Sequence, residues 1–352
     1  MLARSAQGLY WMGRYLERAD HLCRLLRLQA EALVDRPIAE IYNGWNRIYS
    51  CLDRQPPGSG PDLFPGNDGD SNAGMLQVMG VPGTAAWQRS GGDEYTLADS
   101  FTLADDLTFE RSNPDSVWNC FAMGRENARQ MRHCISAEMW RSLNLAYLRI
   151  QQVDILDIWS ASPEAFYLEI DADIDNFMGV AAATMYRDEG WHFMQLGRYI
   201  ERAQLAVALF LSQIELFPLN SPNGSEGSES DWIALLRMYH AMAAYNRAYS
   251  VEVAPPQVLD LLVTDPLLPD SLCRSLDMAA AELTAIATGP DWRSDAAARR
   301  LAGRLAALVH YDWPDTNDQR GILTRLEIHC RELHSLVSAA FFDYAHARPA
   351  MP

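Results

Sequence analysis

One heptapeptide occurs twice in this chain with a single conservative change. Gly13-Arg14-Tyr15-Leu16-Glu17-Arg18-Ala19 returns as Gly197-Arg198-Tyr199-Ile200-Glu201-Arg202-Ala203, and a worn copy, Gly124-Arg125-Glu126-Asn127-Ala128-Arg129-Gln130, lies between them. Around the first copy, Met12, Tyr15, Leu16, Ala19, Leu22, Cys23 and Leu26 recur at spacings of three and four, one apolar face of a helix. Arg14, Glu17, Arg18 and His21 fall on another face, roughly opposite. Around the last copy the pattern differs. Phe193, Met194, Leu196, Tyr199, Ile200, Leu205, Val207, Leu209, Phe210 and Leu211 cover almost the whole circumference, and Leu205 stands in the place of His21. A helix that is apolar nearly all round is buried. Arg198, Glu201 and Arg202 are therefore expected on or beside an interior surface, where charges must be paired or bind something charged.

The plain alternative for the first copy is a solvated face, with Arg14 and Glu17 as an i,i+3 pair contributing a few tenths of a kcal/mol. The middle copy keeps Arg125 and Arg129 one turn apart, while its Glu126 is displaced to the other side of the helix. Read this way, the arginines are the shared element and the glutamate the variable one. Arginine pairs at one-turn spacing suit bidentate capture of carboxylate or phosphate, and a glutamate between them can orient the guanidinium forks or bind an amine. Two arrangements stay open: a buried inter-helix network, and a cleft for an anionic or zwitterionic ligand.

Helical periodicity dominates the rest of the chain. Helices are expected over about 39–52, from about 96, from Asn113-Pro114-Asp115 to about 151 with a break near Ser136, and over 163–185 and 187–216. Further helices are expected at 231–249, 256–263, 269–287, 294–310 and 317–345, with Asn317-Asp318 capping the last. Residues 54–95, rich in Pro, Gly and Asp, read as a long irregular insertion with a small hairpin around Met75–Val81. The Pro/Gly/Ser/Asn/Glu stretch 218–230 reads as a linker. No run of alternating strands is visible. The expectation is an all-α fold: a multi-helix bundle in two packed halves, 1–217 and 231–352, or one continuous domain.

Several chemistries are set aside by composition and motif. The formal net charge of −17 argues against nucleic acid and anionic membrane as partners. No apolar run reaches the ~18 residues of a membrane span, and Met1 leads straight into an amphipathic helix, so the cytoplasm is the expected location. The six cysteines show neither C-x-x-C pairs nor zinc spacing with histidine, and read as small core residues. No P-loop, dinucleotide fingerprint or G-x-S-x-G appears. Glu17 and His21 have the i,i+4 spacing of a metal pair, but without the paired Glu-x-x-His motifs of a di-metal bundle; no metal is expected.

The segment Leu9-Tyr10-Trp11-Met12-Gly13-Arg14-Tyr15-Leu16-Glu17-Arg18-Ala19 resembles the opening signature of the bacterial alpha-E family. The resemblance continues through Asn113-Pro114-Asp115-Ser116-Val117, Gly124 to Arg129, Ser136-Ala137-Glu138-Met139-Trp140, Leu143-Asn144, Gly190-Trp191, Gly197 to Ala203, and Leu261 to Pro266. Gly124 departs from the usual alanine, and Arg141 from a common acidic residue. The resemblance implies an all-helical protein that accompanies circularly permuted ATP-grasp proteins, and often transglutaminase-like ones, in an amide- or peptide-ligating system. It implies no cofactor of this chain's own, with ATP and Mg on the partner. Arg14, Arg18, Arg125, Arg129, Arg198 and Arg202 would then hold a carboxylate or acyl-phosphate of a peptide or amino-acid substrate. Glu17, Glu201, Glu126 and Glu138 would hold or deprotonate the attacking ammonium. The alternatives are a scaffold whose Arg/Glu network only stabilises the bundle, and an independent metal-dependent enzyme.

Overall fold

The computed structural model describes residues 1–57, 92–219, 226–249, 251–287 and 296–342. Among these residues the chain is helical and has no strand, as the periodicity predicts. The hairpin expected at Met75–Val81 lies outside the described residues. The helices in the first part of the chain are α1 Ala3–Asp35, α2 Ile38–Cys51, α3 Gly92–Thr108, α4 Val117–Gln130, α5 Ala137–Ile150, α6 Ile155–Ser160 and α7 Pro163–Thr184. Those that follow are α8 Glu189–Leu216, α9 Glu226–Met238, α10 Met242–Ala248, α11 Pro255–Thr264, α12 Leu272–Ala287, α13 Ala296–Ala307 and α14 Gln319–Phe341. A π-helical turn, Leu308–Asp312, follows α13. No described helix is long and apolar enough to cross a membrane.

Local chemistry sets the helix ends. Ser116, Ser136, Ser162 and Asp318 cap α4, α5, α7 and α14, each accepting a backbone N–H from the third residue beyond it. Three boundaries differ from expectation, the first being the start of α9 at Glu226, inside the stretch 218–230 read as a linker. Asn113-Pro114-Asp115 forms the turn before α4 and lies outside the helix itself, because Asn113 Oδ1 accepts from the Asp115 N–H and ties the turn. The single helix expected over 231–249 is broken, because His240 adopts φ 52° and ends the run between α9 and α10.

The contacts show a repeated unit. α1 packs along α4 and α7, and α5 bridges α4 and α7. In the same order, α8 packs along α12 and α14, and α13 bridges those two. α2, which follows α1, leans on α8, while α9, which follows α8, leans on α1. By these contacts α1–α7 and α8–α14 are two copies of one helical arrangement joined through α1 and α8 at the centre, a grouping that differs from the expected halves 1–217 and 231–352. The break between copies falls between Thr184 and Glu189, where α7 gives way to α8.

α1 and α8 run side by side in the same sense. The Met1 amino group bonds Glu189 at 2.7 Å where both begin, and the two heptapeptides then meet each other. A Cβ at Gly13 would sit 2.2 Å from the Met194 carbonyl oxygen, and one at Gly197 would sit 2.0 Å from that of Tyr10. Tyr10 and Met194 each precede their own glycine by one helical turn, so the contact is reciprocal. Glycine at these two places lets the backbones touch.

Candidate functional site

The charged residues of the first and last copies face each other across that contact and pair crosswise. Glu201 accepts from Arg14 Nε, and from Arg18 Nε at 2.6 Å. Glu17 accepts from Arg202 Nε, and from Arg198 Nε at 2.8 Å. Each glutamate is therefore held by both arginines of the other copy. All of this lies inside the fold: the side chains of Glu17, Glu201, Arg14 and Arg202 are 5%, 1%, 5% and 7% exposed. The solvated face considered for the first copy is absent, because α8 covers it. The reading of glutamate as the variable element is also corrected. The two copies that keep it in register are the two that join, since a buried arginine pair requires a carboxylate opposite.

A second ring of carboxylates completes the clasp. Arg18 Nη1 bonds Asp115, and Arg202 Nη1 bonds Asp270 at 2.5 Å. Both aspartates stand in a Pro-Asp-Ser triplet, Pro114-Asp115-Ser116 and Pro269-Asp270-Ser271, immediately before α4 and α12. Sequence reasoning missed Asp270, although the repeated triplet was the available signal. On the Asp270 side, Arg24 also enters, bonding Asp270 at 2.8 Å, Asp20 at 2.9 Å and Asp171 at 3.1 Å.

The electrostatics follow from burial set against pairing. Burial pushes the Glu201 carboxyl up, but Arg14 and Arg18 override it and hold it at about 2. Burial acts the same way on Glu17, and Arg202 with Arg198 leave it below the usual carboxylate range. Asp270, against Arg202 and Arg24, also comes to about 2 despite burial. Asp20 goes the other way: burial raises it well above the carboxylate range, more than Arg24 lowers it. His21 is pushed down to about 3 by burial and by Arg24, and His334 to about 4 by burial and by Arg14.

His21 and Glu201 set a pH dependence of one sign, which Asp20, its carboxyl raised by burial, opposes above its ordinary 3.8. Below its ordinary value of 6.5, unfolded His21 takes a proton that the folded chain refuses until about 3. Stability therefore falls as pH drops through that window. Glu201 stabilises fully above its ordinary 4.5 and loses that contribution as pH falls toward about 2. The melting temperature is expected to be highest above about pH 6.5, to decline gently below it, and to drop steeply below about pH 4.5. His21→Gln should flatten the upper part of the decline. A decline below pH 6.5 that is the same in His21→Gln as in the parent would contradict the His21 assignment.

The middle copy does not join the clasp. Arg125 Nε bonds Asn144 at 2.9 Å, and its guanidinium lies over Trp140 and Tyr147. Arg129 and Glu126 pair with each other on the exposed face at 2.7 Å. Glu138 lies exposed in the first turn of α5. Only Gly124 keeps its role, since a Cβ there would meet Leu16 of α1 at 3.0 Å. Glu126 misses the centre because it stands two places before the Glu17 position, which turns it about 200° around the helix.

Glu17 and His21 do not converge on an ion. Both Glu17 oxygens are taken by arginines, and His21 Nε2 lies 3.6 Å from Cys51 Sγ. Burial pushes the Cys51 thiol up to about 12, which leaves it a poor nucleophile. All six cysteines are free thiols. Among the described residues, Cys273, Asp277 and His310 each offer a ligand atom within 4.8 Å of one another and could hold a metal ion.

A partly open cavity of about 190 Å³ abuts the clasp on the Asp115 side. Arg18, Asp115, Glu201, Gln204, Ala208 and Glu327 line it, with Arg331 at its edge. Arg331, 59% exposed, lies 2.9 Å from Glu327 and 3.5 Å from Asp53. Arg54 reaches Asp115 at 3.3 Å. The cavity thus offers both signs of charge at the edge of a rigid network.

A family described as a predicted alpha-helical domain with a conserved ER motif matches residues 1–342. The Glu-Arg dipeptides Glu17-Arg18 and Glu201-Arg202 are the centre of the clasp. Relatives include an uncharacterized protein of Mycobacterium bovis and one of Mycobacterium tuberculosis, each 24% identical over 291 residues. The match covers 80% of this chain and 29% of either relative, so the chain spans under a third of the length of the curated relatives it matches. No solved structure matches.

Proposed function

The chain belongs to the Alpha-E family, and from that premise we propose that it is the non-ATPase component of an ATP-grasp-dependent amide or peptide ligase system. The ATP and Mg chemistry belongs to a circularly permuted ATP-grasp partner, with a transglutaminase-like protein as a further associate. The family resemblance carries the association. The observation that carries substrate binding is the cavity beside the clasp, where carboxylates and partly exposed arginines suit an amino-acid-like, zwitterionic ligand.

The clasp and the cavity divide the work. Glu17 and Glu201 are ionised and spent on arginines, so they position the site and do not act as bases. Arg14, Arg18, Arg198 and Arg202 are spent in the same way. This mutual saturation favours the scaffold role for those six residues, while Asp115, Glu327 and Arg331 are left to meet a ligand. A substrate carboxylate would pair with Arg331, which is mostly in solvent and can swing to it at little cost.

Co-expression with the adjacent ATP-grasp protein, followed by measurement of ATP turnover with amino-acid mixtures, tests this reading. Turnover is expected to require the chain, and Arg331→Ala is expected to reduce it at unchanged melting temperature. Turnover indifferent to the chain would leave only the scaffold.

A further inference from the structure

The two halves of the clasp differ in one respect that bears on the cavity's ligand. Counted from Gly13 and Gly197, Arg18 corresponds to Arg202, Glu17 to Glu201, Asp20 to Gln204, and Arg24 to Ala208. Asp115 and Asp270 each stand one residue before the serine that opens the next helix. Asp171 and Glu327 stand at the same distance from the N-caps of α7 and α14, Ser162 and Asp318. Six of the eleven residues that line the cavity, Arg18, Asp115, Glu201, Gln204, Ala208 and Glu327, are thus the counterparts of Arg202, Asp270, Glu17, Asp20, Arg24 and Asp171.

On the Asp270 side that space is filled. The Arg24 guanidinium occupies it, held by Asp20, Asp171 and Asp270 together. On the Asp115 side the residue in Arg24's place is Ala208, and the space is the cavity. Two of the three carboxylates that hold Arg24 are retained there as Asp115 and Glu327, and the third position keeps a side-chain carbonyl in Gln204. The exposures agree: the Arg202 side chain is 7% exposed, whereas Arg18 is 21% exposed.

We infer that this cavity takes the cationic group of a ligand, a guanidinium or a primary ammonium, in the position that Arg24 fills on the other side. The group sits against Asp115, Glu327 and the Gln204 carbonyl. It displaces Arg54 and Arg331, which now reach two of these carboxylates from the rim with side chains 30% and 59% exposed. The cavity volume of about 190 Å³ admits an amine or guanidine on a short aliphatic stem. The inference rests on the reading above only in treating that group as part of the ligase substrate.

The test is titration of the full chain, alone, with agmatine and with lysine, read by calorimetry and by melting temperature, with glutarate, which has no amine, as the control. Saturable binding of a cation with Kd below about 1 mM is expected, and none of glutarate. Ala208→Arg should supply the missing guanidinium from the chain itself. That variant is expected to fold, with its melting temperature equal or higher, and to lose cation binding at least about tenfold. Glu327→Gln, on a solvent-facing helix, should weaken binding about tenfold without a fold change and covers the case in which Ala208→Arg does not fold. No saturable binding of either cation up to about 10 mM, equal binding by glutarate, or unchanged binding in Glu327→Gln would overturn the inference. Failure of the ligase reading appears separately, as ATP turnover by the partner that ignores a chain shown to bind the cation.

Discussion

Glu201→Ala is expected to lower the free energy of unfolding by about 3–5 kcal/mol, the usual consequence of removing one member of a buried ion pair. The loss comes less from the bond itself than from the arginine left behind. Arg14 is 5% exposed and would keep only the Gln204 carbonyl, at 2.6 Å. Arg18 would still have Asp115 and is 21% exposed. Glu17→Ala should cost somewhat less, because its stranded partners are better served: Arg202 retains Asp270, and Arg198 is 22% exposed. The double variant Glu201→Met with Arg14→Met removes both charges and should recover part of the loss, since a buried pair rarely outperforms apolar residues of similar size. Urea denaturation of the four proteins decides the matter. A Glu201→Ala variant within about 0.5 kcal/mol of the parent would mean that the clasp is not buried as described.

Gly13→Ala and Gly197→Ala are each expected to cost at least about 3 kcal/mol, at or beyond the upper end of the overpacking range. The reason is geometric. The new methyl would lie 2.2 Å or 2.0 Å from a backbone carbonyl oxygen, and a carbonyl in the middle of a helix cannot rotate away. The two helices must separate, and the Arg–Glu bonds that cross the same contact lengthen with them. Three other helical glycines serve as controls. Gly124→Ala meets only the end of the Leu16 side chain, which can give way, and should change stability by less than about 1 kcal/mol. Gly179→Ala and Gly303→Ala meet nothing within 4 Å and should stabilise by up to about 1 kcal/mol. Thermal or urea unfolding of the five variants would separate these classes. A Gly13→Ala protein as stable as Gly124→Ala would contradict the close approach of α1 and α8.

Much of the fold was legible because helix formation and capping are local. Apolar residues three and four apart mark the buried stripe of α1, and Ser136, Ser162 and Asp318 announce helix starts through single side-chain bonds to nearby N–H groups. The boundary at His240 was not legible, since a left-handed φ at a non-glycine residue leaves no sequence mark. The site was half legible. The apolar surroundings of the last copy placed Arg198, Glu201 and Arg202 inside, and they are at or near the interior contact. The worn copy misled, because sharing two arginines looked like sharing a role. Arg125 instead stacks on Trp140 and Tyr147.

The sequence by itself determined that the chain is all-helical, that one charged heptapeptide serves two helices, and that its charges must be paired or meet a charged ligand. These conclusions depend on periodicity, residue size and the cost of burying charge, all of which act within a turn or two of helix. Tertiary structure alone decided that each glutamate answers the other copy's arginines, that Asp115 and Asp270 complete the ring, and that Ala208 leaves open the space Arg24 fills. Those relations join residues from 68 (Arg202 and Asp270) to 187 (Arg14 and Glu201) positions apart. A helical pattern fixes which face a side chain occupies but not which helix comes to lie against it.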